Sequence, residues 1–255
     1  MNDIVEDYFE LLNDRINHVI RTQKENIYDA AKVCASSIFT GNLVFTFGTG
    51  HGAFPALEMF PRTGTVTGFR PIVESTMISF HHVFGDMGAR QYRFIHGQEG
   101  YGRAILSSHQ LKSEDAVIIF SHSGLNAVTL DVALGAQEKG LKVIGVTSVT
   151  HSSSTPSRHS SGKRLFELAD IVIDTGAPKD DAGMYIDGLE HPVGATSTSV
   201  AIAIGHAINV ATSRELINLG YKPMIMVNPN TSSREEANHQ NDLNYKDLWK
   251  RLSSR

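Results

Sequence analysis

The hydroxyl, glycine and amide residues at 121–126 have the composition of an anion site. They read Ser121-His122-Ser123-Gly124-Leu125-Asn126, directly after an apolar run and before a predicted helix. A helix N-terminus carries a partial positive charge and unpaired N–H groups, so it binds phosphate readily. Serine hydroxyls and the asparagine amide add donors, and His122 could turn toward the ligand or toward solvent. We predict anion binding here; ordinary helix capping by serine or asparagine is the alternative.

A second loop, Gly48-Thr49-Gly50-His51-Gly52-Ala53, follows another apolar run. It matches the G-x-G-x-x-A pattern of dinucleotide-binding folds. Glu74 lies 24 residues beyond Gly50, near the place of a ribose-binding acid. A nicotinamide or flavin cofactor is therefore one alternative. We predict no cofactor, because a dinucleotide site does not require the serine-rich loop after a later strand.

These loops sit in a chain that alternates between short apolar runs and helical segments. Four runs predict strands and one more is a candidate, at residues 43–47, 116–120, 143–146, 171–173 and 71–73. Helices are predicted between and after them, near residues 53–62, 127–139, 163–169 and 199–219. Unbroken apolar strands are typical of a parallel sheet covered on both faces. The alternation predicts an open doubly wound sheet, whose ligands bind beyond the carboxyl ends of the strands.

The chain is predicted to form a single domain over residues 1–255. Two amphipathic helices occupy residues 1–40, the α/β core residues 41–221, and a polar tail residues 222–255. The tail shows one or two amphipathic turns, around Leu243, Leu248 and Trp249. The apolar faces of the N-terminal helices need a partner, which favours a homodimer.

Composition argues against several functional classes. The 255 residues are 41% hydrophobic and 20% charged, as in ordinary globular proteins. The formal charge of −4 argues against nucleic acid or an anionic membrane as a partner. A single cysteine, Cys34, and the lack of a basic-then-apolar leader after Met1 predict a cytoplasmic location. Residues 191–213 carry no Asp, Glu, Lys or Arg, yet their apolar part is too short to span a bilayer, so a buried helix is predicted.

The twelve histidines show no metal-binding spacing. His81 and His82 are adjacent and point in different directions on either a strand or a helix, so they cannot easily share one ion. We predict no metal site. Arg158, His159 and Lys163 could complete an anion pocket, and a basic, solvated loop is the alternative.

In combination, these motifs resemble the sugar isomerase (SIS) domain family, which binds phosphosugars and includes phosphoheptose isomerase. Two loops carry the resemblance, Ser121–Gly124 as the phosphate loop and Gly48–His51 as the first glycine-rich loop. Five further segments fit, several of them typical of a subgroup of stand-alone bacterial SIS proteins: residues 57–59, 99–102, 156–159, 161–165 and 188–189. The resemblance covers roughly residues 25–221. It implies a flavodoxin-like αβα sandwich with five parallel strands and an N-terminal helical extension, commonly paired, with active sites near the subunit boundary.

The resemblance also implies roles for individual residues. By this resemblance, Glu58 is the base of an aldose–ketose isomerisation that passes through an enediol. His206 is an active-site histidine on the last helix of the core. Their alternatives are a solvated helix carboxylate and a core histidine. The hydroxyl residues at the start of that helix become sugar or phosphate contacts or caps: Thr196, Ser197 and Thr198. A phosphosugar isomerase is therefore predicted; a phosphosugar-sensing module and a sugar-phosphate ether lyase remain alternatives.

Overall fold

The computed structural model describes residues 3–78, 88–230 and 233–255. His81 and His82 lie outside the described residues.

A five-stranded parallel sheet forms the centre of the molecule, as predicted. Its strands are β1 (Val44–Gly48), β2 (Phe69–Pro71), β3 (Ala116–Phe120), β4 (Lys142–Thr147) and β5 (Ile171–Asp174). They lie in the order β2-β1-β3-β4-β5, with every neighbouring pair parallel. Every residue of β1 and β3 is buried, which explains why these strands are unbroken apolar runs.

Helices cover both faces of the sheet. In chain order they are α1 (Ile4–Thr22), α2 (Lys24–Phe39), α3 (Ala53–Glu58), α4 (Ser75–Ile78), α5 (Gly88–His96), α6 (Tyr101–Ser107), α7 (Ala127–Glu138), α8 (Val149–Ser153), α9 (Leu165–Leu168), α10 (Ser197–Asn218) and α11 (Arg234–Ser253). Alternate residues of β3 point to opposite faces: Ile118 packs with α2, α3 and α10, whereas Ile119 packs with α6, α7 and α9. The predicted three-layer αβα sandwich is thereby confirmed.

The uncharged stretch at 191–213 contributes most of α10, which packs closely against α2 and α3. The prediction of a buried helix is correct for the side of α10 that packs against α2 and α3. Among the described helices, none has the length and apolar character needed to cross a membrane.

Helices α4, α5, α6 and α8 were not predicted from the sequence, and two further features differ from the prediction. A short antiparallel hairpin, β6 (Ala182–Met184) with β7 (Val193–Ala195), precedes α10. The C-terminal segment forms the 20-residue helix α11 rather than one or two turns. Apolar periodicity missed α11 because polar residues anchor it: Asn244 and Arg251 are buried, and Arg251 donates to the carbonyl oxygens of Ile38 and Asn42.

Candidate functional site

The first glycine-rich loop packs directly on the end of β3. After β1 the chain makes a tight 3-10 turn over Gly50–Gly52. A Cβ atom at Gly48 would lie 2.0 Å from the carbonyl oxygen of Gly52, and one at Gly52 would lie 2.4 Å from that of Phe120. These two glycines are therefore required by backbone packing, which brings the first loop against the serine-rich loop.

Thr49 faces helix α5 rather than a ligand cavity. Its Oγ1 lies 2.8 Å from Nε2 of His96, and both residues are buried. Burial, followed by the positive charge of Arg158, lowers the pKa of His96 to about 4, so this imidazole is neutral at pH 7. The predicted ligand contact of Thr49 has no geometric support, because its hydroxyl group is already bonded to His96.

The serine-rich loop between β3 and α7 leaves the N-terminus of α7 without a side-chain cap. The side chain of Asn126, at the N-cap position, makes no capping hydrogen bond. Its Nδ2 donates to Ser123 Oγ at 3.3 Å, and its Oδ1 accepts from Arg158 Nη1 at 3.2 Å. Ser121 Oγ accepts from the Gly124 N–H at 3.1 Å. The capping alternative is therefore wrong for Asn126.

The loop that carries Arg158 is bonded to the serine-rich loop by its backbone. The N–H of Arg158 donates to the carbonyl of Leu125 at 3.0 Å, and the N–H of Leu165 donates to that of Gly124 at 2.9 Å. Gly124 has φ +60, and a Cβ there would lie 3.0 Å from Thr147 Oγ1. Arg158 is exposed and forms no ion pair with any described carboxylate. The guanidinium of Arg158 therefore lies beside the predicted phosphate loop without a carboxylate partner among the described residues.

His159, the neighbour of Arg158, has a different role. Its Nε2 lies 3.4 Å from the buried carboxylate of Asp131 and 3.7 Å from that of Glu99. Asp131 also accepts from the N–H groups of Gly100 and Gly102. His159 therefore joins its loop to the start of α6 and is not part of an anion pocket.

A small cavity of about 40 Å³ lies beyond the carboxyl ends of the strands. Five predicted site residues line it together with six others: His51, Ser121, His122, Ser197 and Thr198, with Gly52, Pro55, Phe120, Val146, Thr175 and Ala201. Both ring nitrogens of His122 are buried and have no hydrogen-bond partner among the described residues, and the ring packs 4.6 Å from that of His151. Burying a polar group without a hydrogen-bond partner costs free energy. A ligand or a water molecule bonded to His122 would remove that cost.

The N-terminus of α10 is occupied by a carboxylate that sequence reasoning missed. Asp181, with φ +66, accepts from the N–H groups of Thr196 at 3.0 Å and Ser197 at 2.7 Å, and from Ser197 Oγ at 2.7 Å. The helix is therefore capped by Asp181, while the side chain of Thr196, at the N-cap position, makes no capping hydrogen bond. No local signal identifies Asp181, because it precedes the helix by the length of the β6–β7 hairpin.

The two predicted acid–base residues lie together on one side of α3 and α10. Oε1 of Glu58 is 3.5 Å from Nε2 of His206, and it accepts from Nε of Arg62 at 2.6 Å. The side chain of Glu58 is 34% exposed and that of His206 43%, so neither is enclosed in the single chain. The apolar flanks of Glu58, such as Met59 and Phe60, form the buried side of the segment. Sequence reasoning also missed Arg62, although its i,i+4 spacing from Glu58 was available as a signal.

The predicted residues therefore fall into separate groups. Ser121, His122, His51, Ser197 and Thr198 share the strand-end cavity. Asn126 bonds to both Ser123 and Arg158, and Glu58 pairs with His206. Gly48, Thr49, Gly50, Gly124 and Thr196 stabilise the surrounding backbone and do not line the cavity. In the described parts of the chain, no three side chains of the His, Cys, Asp or Glu type cluster as metal ligands.

An apolar groove of about 730 Å³ runs along α1, α2 and α10. Ile20 and Val210, on its walls, are 58% and 69% exposed. Ala203 and Ala207 also line it, and they flank His206 along α10. The groove therefore adjoins the Glu58–His206 pair.

Comparison with known proteins agrees with the fold. The SIS domain family matches residues 7–148. A UPF0309 protein of Geobacillus thermodenitrificans is 32% identical over 245 residues, covering 96% of this chain and 96% of that protein. A UPF0309 protein of Oceanobacillus iheyensis is 34% identical over 244 residues, covering 95% of this chain and 97% of that protein.

Among solved structures, two phosphoheptose isomerases share the fold. The enzyme of Neisseria gonorrhoeae gives a TM-score of 0.53 at 17% identity, over 82% of this chain and 97% of that chain. The enzyme of Francisella tularensis gives 0.54 at 15% identity, over 83% and 97%. The chain belongs to the SIS domain family, and over nearly its whole length it is related to the UPF0309 proteins.

Proposed function

We propose that the protein is a phosphosugar isomerase that interconverts an aldose and a ketose through an enediol. The observation that carries the proposal is the pairing of Glu58 with His206 beside a strand-end anion site. The Glu58 carboxylate removes the proton from the carbon next to the carbonyl, and the resulting electron pair forms the enediol double bond. His206 donates a proton to the carbonyl oxygen. Glu58 then returns the proton to the former carbonyl carbon while His206 takes the proton of the neighbouring hydroxyl group, whose oxygen becomes the new carbonyl.

The phosphate group binds at the N-terminus of α7 and not at that of α10. Asp181 already places a carboxylate on the N–H groups of α10, where it offsets the positive helix end and would repel an anion. At α7 no carboxylate caps the helix, and Arg158 adds a cation. Ser121, Ser123 and Asn126 supply the remaining donors.

The spacing along α10 suits a substrate that reaches both groups. Thr198 lies at the phosphate end and His206 at the acid–base end, eight residues further along the helix. At 1.5 Å per residue this separation is about 12 Å. An open-chain sugar phosphate, extended from His122 and Thr198 toward Glu58, is of comparable length.

A second copy of the chain completes the site. The apolar groove on α1, α2 and α10 is lined mainly by apolar side chains and adjoins His206. A homodimer formed through this groove would cover Ile20 and Val210 and would restrict water at Glu58. We place the protein in the cytoplasm, in agreement with its buried thiol, Cys34.

One observation favours binding without catalysis as the second candidate. Nε of Arg62 donates to Oε1 of Glu58 at 2.6 Å, so the carboxylate oxygen that faces His206 already has a hydrogen-bond partner. A phosphosugar-sensing module would retain the anion site and would not need a free base.

Proton exchange distinguishes the two candidates. The protein is incubated in D₂O with aldose and ketose phosphates of five to seven carbons, and deuterium incorporation next to the carbonyl is followed by NMR. We expect exchange with at least one sugar, and Glu58→Gln should abolish it while binding persists. The matched control, Glu235→Gln, changes an exposed carboxylate on α11 and should leave exchange unaltered. Binding of a sugar phosphate without exchange in the unmodified protein would support the sensing module instead.

A further inference from the structure

A second groove lies beside the edge strand β2, away from the strand-end cavity. It has a volume of about 500 Å³ and is lined by Arg70, Ser108, His109, Gln110, Tyr245, Leu248, Trp249, Leu252 and Arg255. Arg255 pairs with Asp115, the residue before β3, so the groove adjoins the amino ends of the strands. It shares no lining residue with the strand-end cavity. We call it the Arg70–Trp249 groove.

The Arg70–Trp249 groove contains a cation with no counter-ion among the described residues. The described part of its lining includes no aspartate or glutamate. The guanidinium of Arg255 is already committed, because its two terminal nitrogens donate to the carboxylate oxygens of Asp115 at 2.6 and 2.8 Å. Arg70, by contrast, is partly buried on β2 and makes no side-chain hydrogen bond or ion pair within the described residues. A partly desolvated guanidinium without a partner is unfavourable, and an anion would relieve it.

The pKa values of Arg70 and His109 reflect burial and the positive charges nearby. Burial lowers the pKa of Arg70, and the positive charge of Arg255 lowers it further. Burial also lowers the pKa of His109, and the charge of Arg70 adds to that effect. The shifts show that Arg70 lies within electrostatic range of Arg255 and His109, and they favour the neutral imidazole of His109.

The other wall of the groove is aromatic and open to solvent. Trp249 is 70% exposed, and Tyr245 is exposed on the preceding turn of α11. The apolar side chains of Leu248 and Leu252 line the groove with them. An indole ring left open in a groove offers a large flat apolar surface, on which another planar ring can stack.

We propose that the Arg70–Trp249 groove binds a small anion with a planar aromatic ring, of the nucleoside phosphate class. Arg70 contacts the phosphate, His109 lies next to it, and the base stacks on Trp249. The groove volume falls within the range of small-molecule sites. The proposal is independent of phosphosugar chemistry, because it concerns a different edge of the sheet and different residues.

Trp249 is the only tryptophan of the chain, so its fluorescence reports on this groove alone. The full-length protein is titrated with AMP, adenosine, ribose 5-phosphate and inorganic phosphate, with excitation at the red edge of the indole band. We expect saturable quenching by AMP, and at least tenfold weaker effects from the three compounds that lack either the base or the phosphate. Calorimetry repeats the AMP titration without relying on the indole.

Variants test the two walls separately. Arg70→Gln should raise the Kd for AMP at least tenfold, and Trp249→Ala, followed by calorimetry, should weaken AMP but not inorganic phosphate. The matched control is Arg234→Gln at the exposed start of α11, which should leave the AMP Kd unchanged. Absence of saturable AMP binding at millimolar concentration would overturn the proposal, as would equal AMP affinity in Arg70→Gln. Concentration-dependent burial of Trp249 without ligand would also overturn it, since the surface would then be a protein contact.

Discussion

The carboxylate of Glu58 lies 3.5 Å from the imidazole of His206, although one residue ends α3 and the other lies in the middle of α10. The close packing of α3 against α10 places them together. Arg62, four residues after Glu58, completes the group at 2.6 Å. A carboxylate–imidazole pair thus exists in the single chain, next to the groove at which we propose that a second chain binds.

Replacement of His206 by Gln should reduce turnover of the phosphosugar much more than its binding. Loss of a general acid or base costs about 10²- to 10⁴-fold in kcat, whereas KM should change only a few-fold. Steady-state kinetics with the sugar found by proton exchange measures both. His239→Gln on α11 is the matched control and should behave like the unmodified protein. An unaltered kcat in His206→Gln would remove this residue from the mechanism.

Replacement of Arg158 by Gln should weaken phosphosugar binding about tenfold or more. Charge-assisted hydrogen bonds to a phosphate contribute about 1.5–3 kcal/mol, and each 1.4 kcal/mol corresponds to a factor of ten in Kd. Calorimetry should show this loss for the sugar phosphate and none for the unphosphorylated sugar. Lys139→Gln, which changes an exposed cation at the other end of α7, is the control. Equal affinities for Arg158→Gln and the unmodified protein would place the phosphate elsewhere.

His96 should make the protein less stable in mild acid. The pKa of His96 in the folded protein is about 4, below the ordinary value of 6.5. Between pH 6.5 and pH 4, the imidazole therefore binds a proton in the unfolded chain but not in the folded chain. Stability therefore falls as the pH decreases from about 6.5 to 4, by about 3 kcal/mol for this one group.

Urea unfolding at pH 7.5 and pH 5 measures this effect in the unmodified protein and in His96→Gln, which retains a polar partner for Thr49. The variant should lose less stability on acidification than the unmodified protein does. If both lose the same amount, His96 is not the responsible group.

The apolar groove predicts a dimer that a single charge disrupts. The unmodified protein should sediment as a dimer at micromolar concentration, because the exposed Val210 and Ile20 would be buried by a second copy. Val210→Lys places a charge in that contact and should give a monomer with an unchanged circular dichroism spectrum. Val73→Lys, at an exposed position away from the groove, should remain dimeric. A monomeric unmodified protein would contradict this prediction.

Apolar patterning predicted the sheet and its covering helices because burial on both faces demands continuous apolar strands, as in residues 116–120. It also placed the predicted anion loops beyond the carboxyl ends of the strands, because ligands of open parallel sheets bind there. It failed for α11, whose buried anchors are polar. For such a residue, the position of its hydrogen-bond partners decides whether burial is favourable.

The roles of individual polar residues were determined only by the tertiary structure. From sequence alone, Thr49 and Thr196 were equivalent to Ser121 as hydroxyl donors after a strand or before a helix. Packing then placed the hydroxyl of Thr49 on His96 and that of Thr196 on the carbonyl oxygen of Asp181, while Ser121 remained on the cavity. The sequence by itself determined which loops could hold an anion, since that depends on local composition and strand order. The folded chain decided which donors remain available, because a donor already bonded to a distant residue is lost to the ligand.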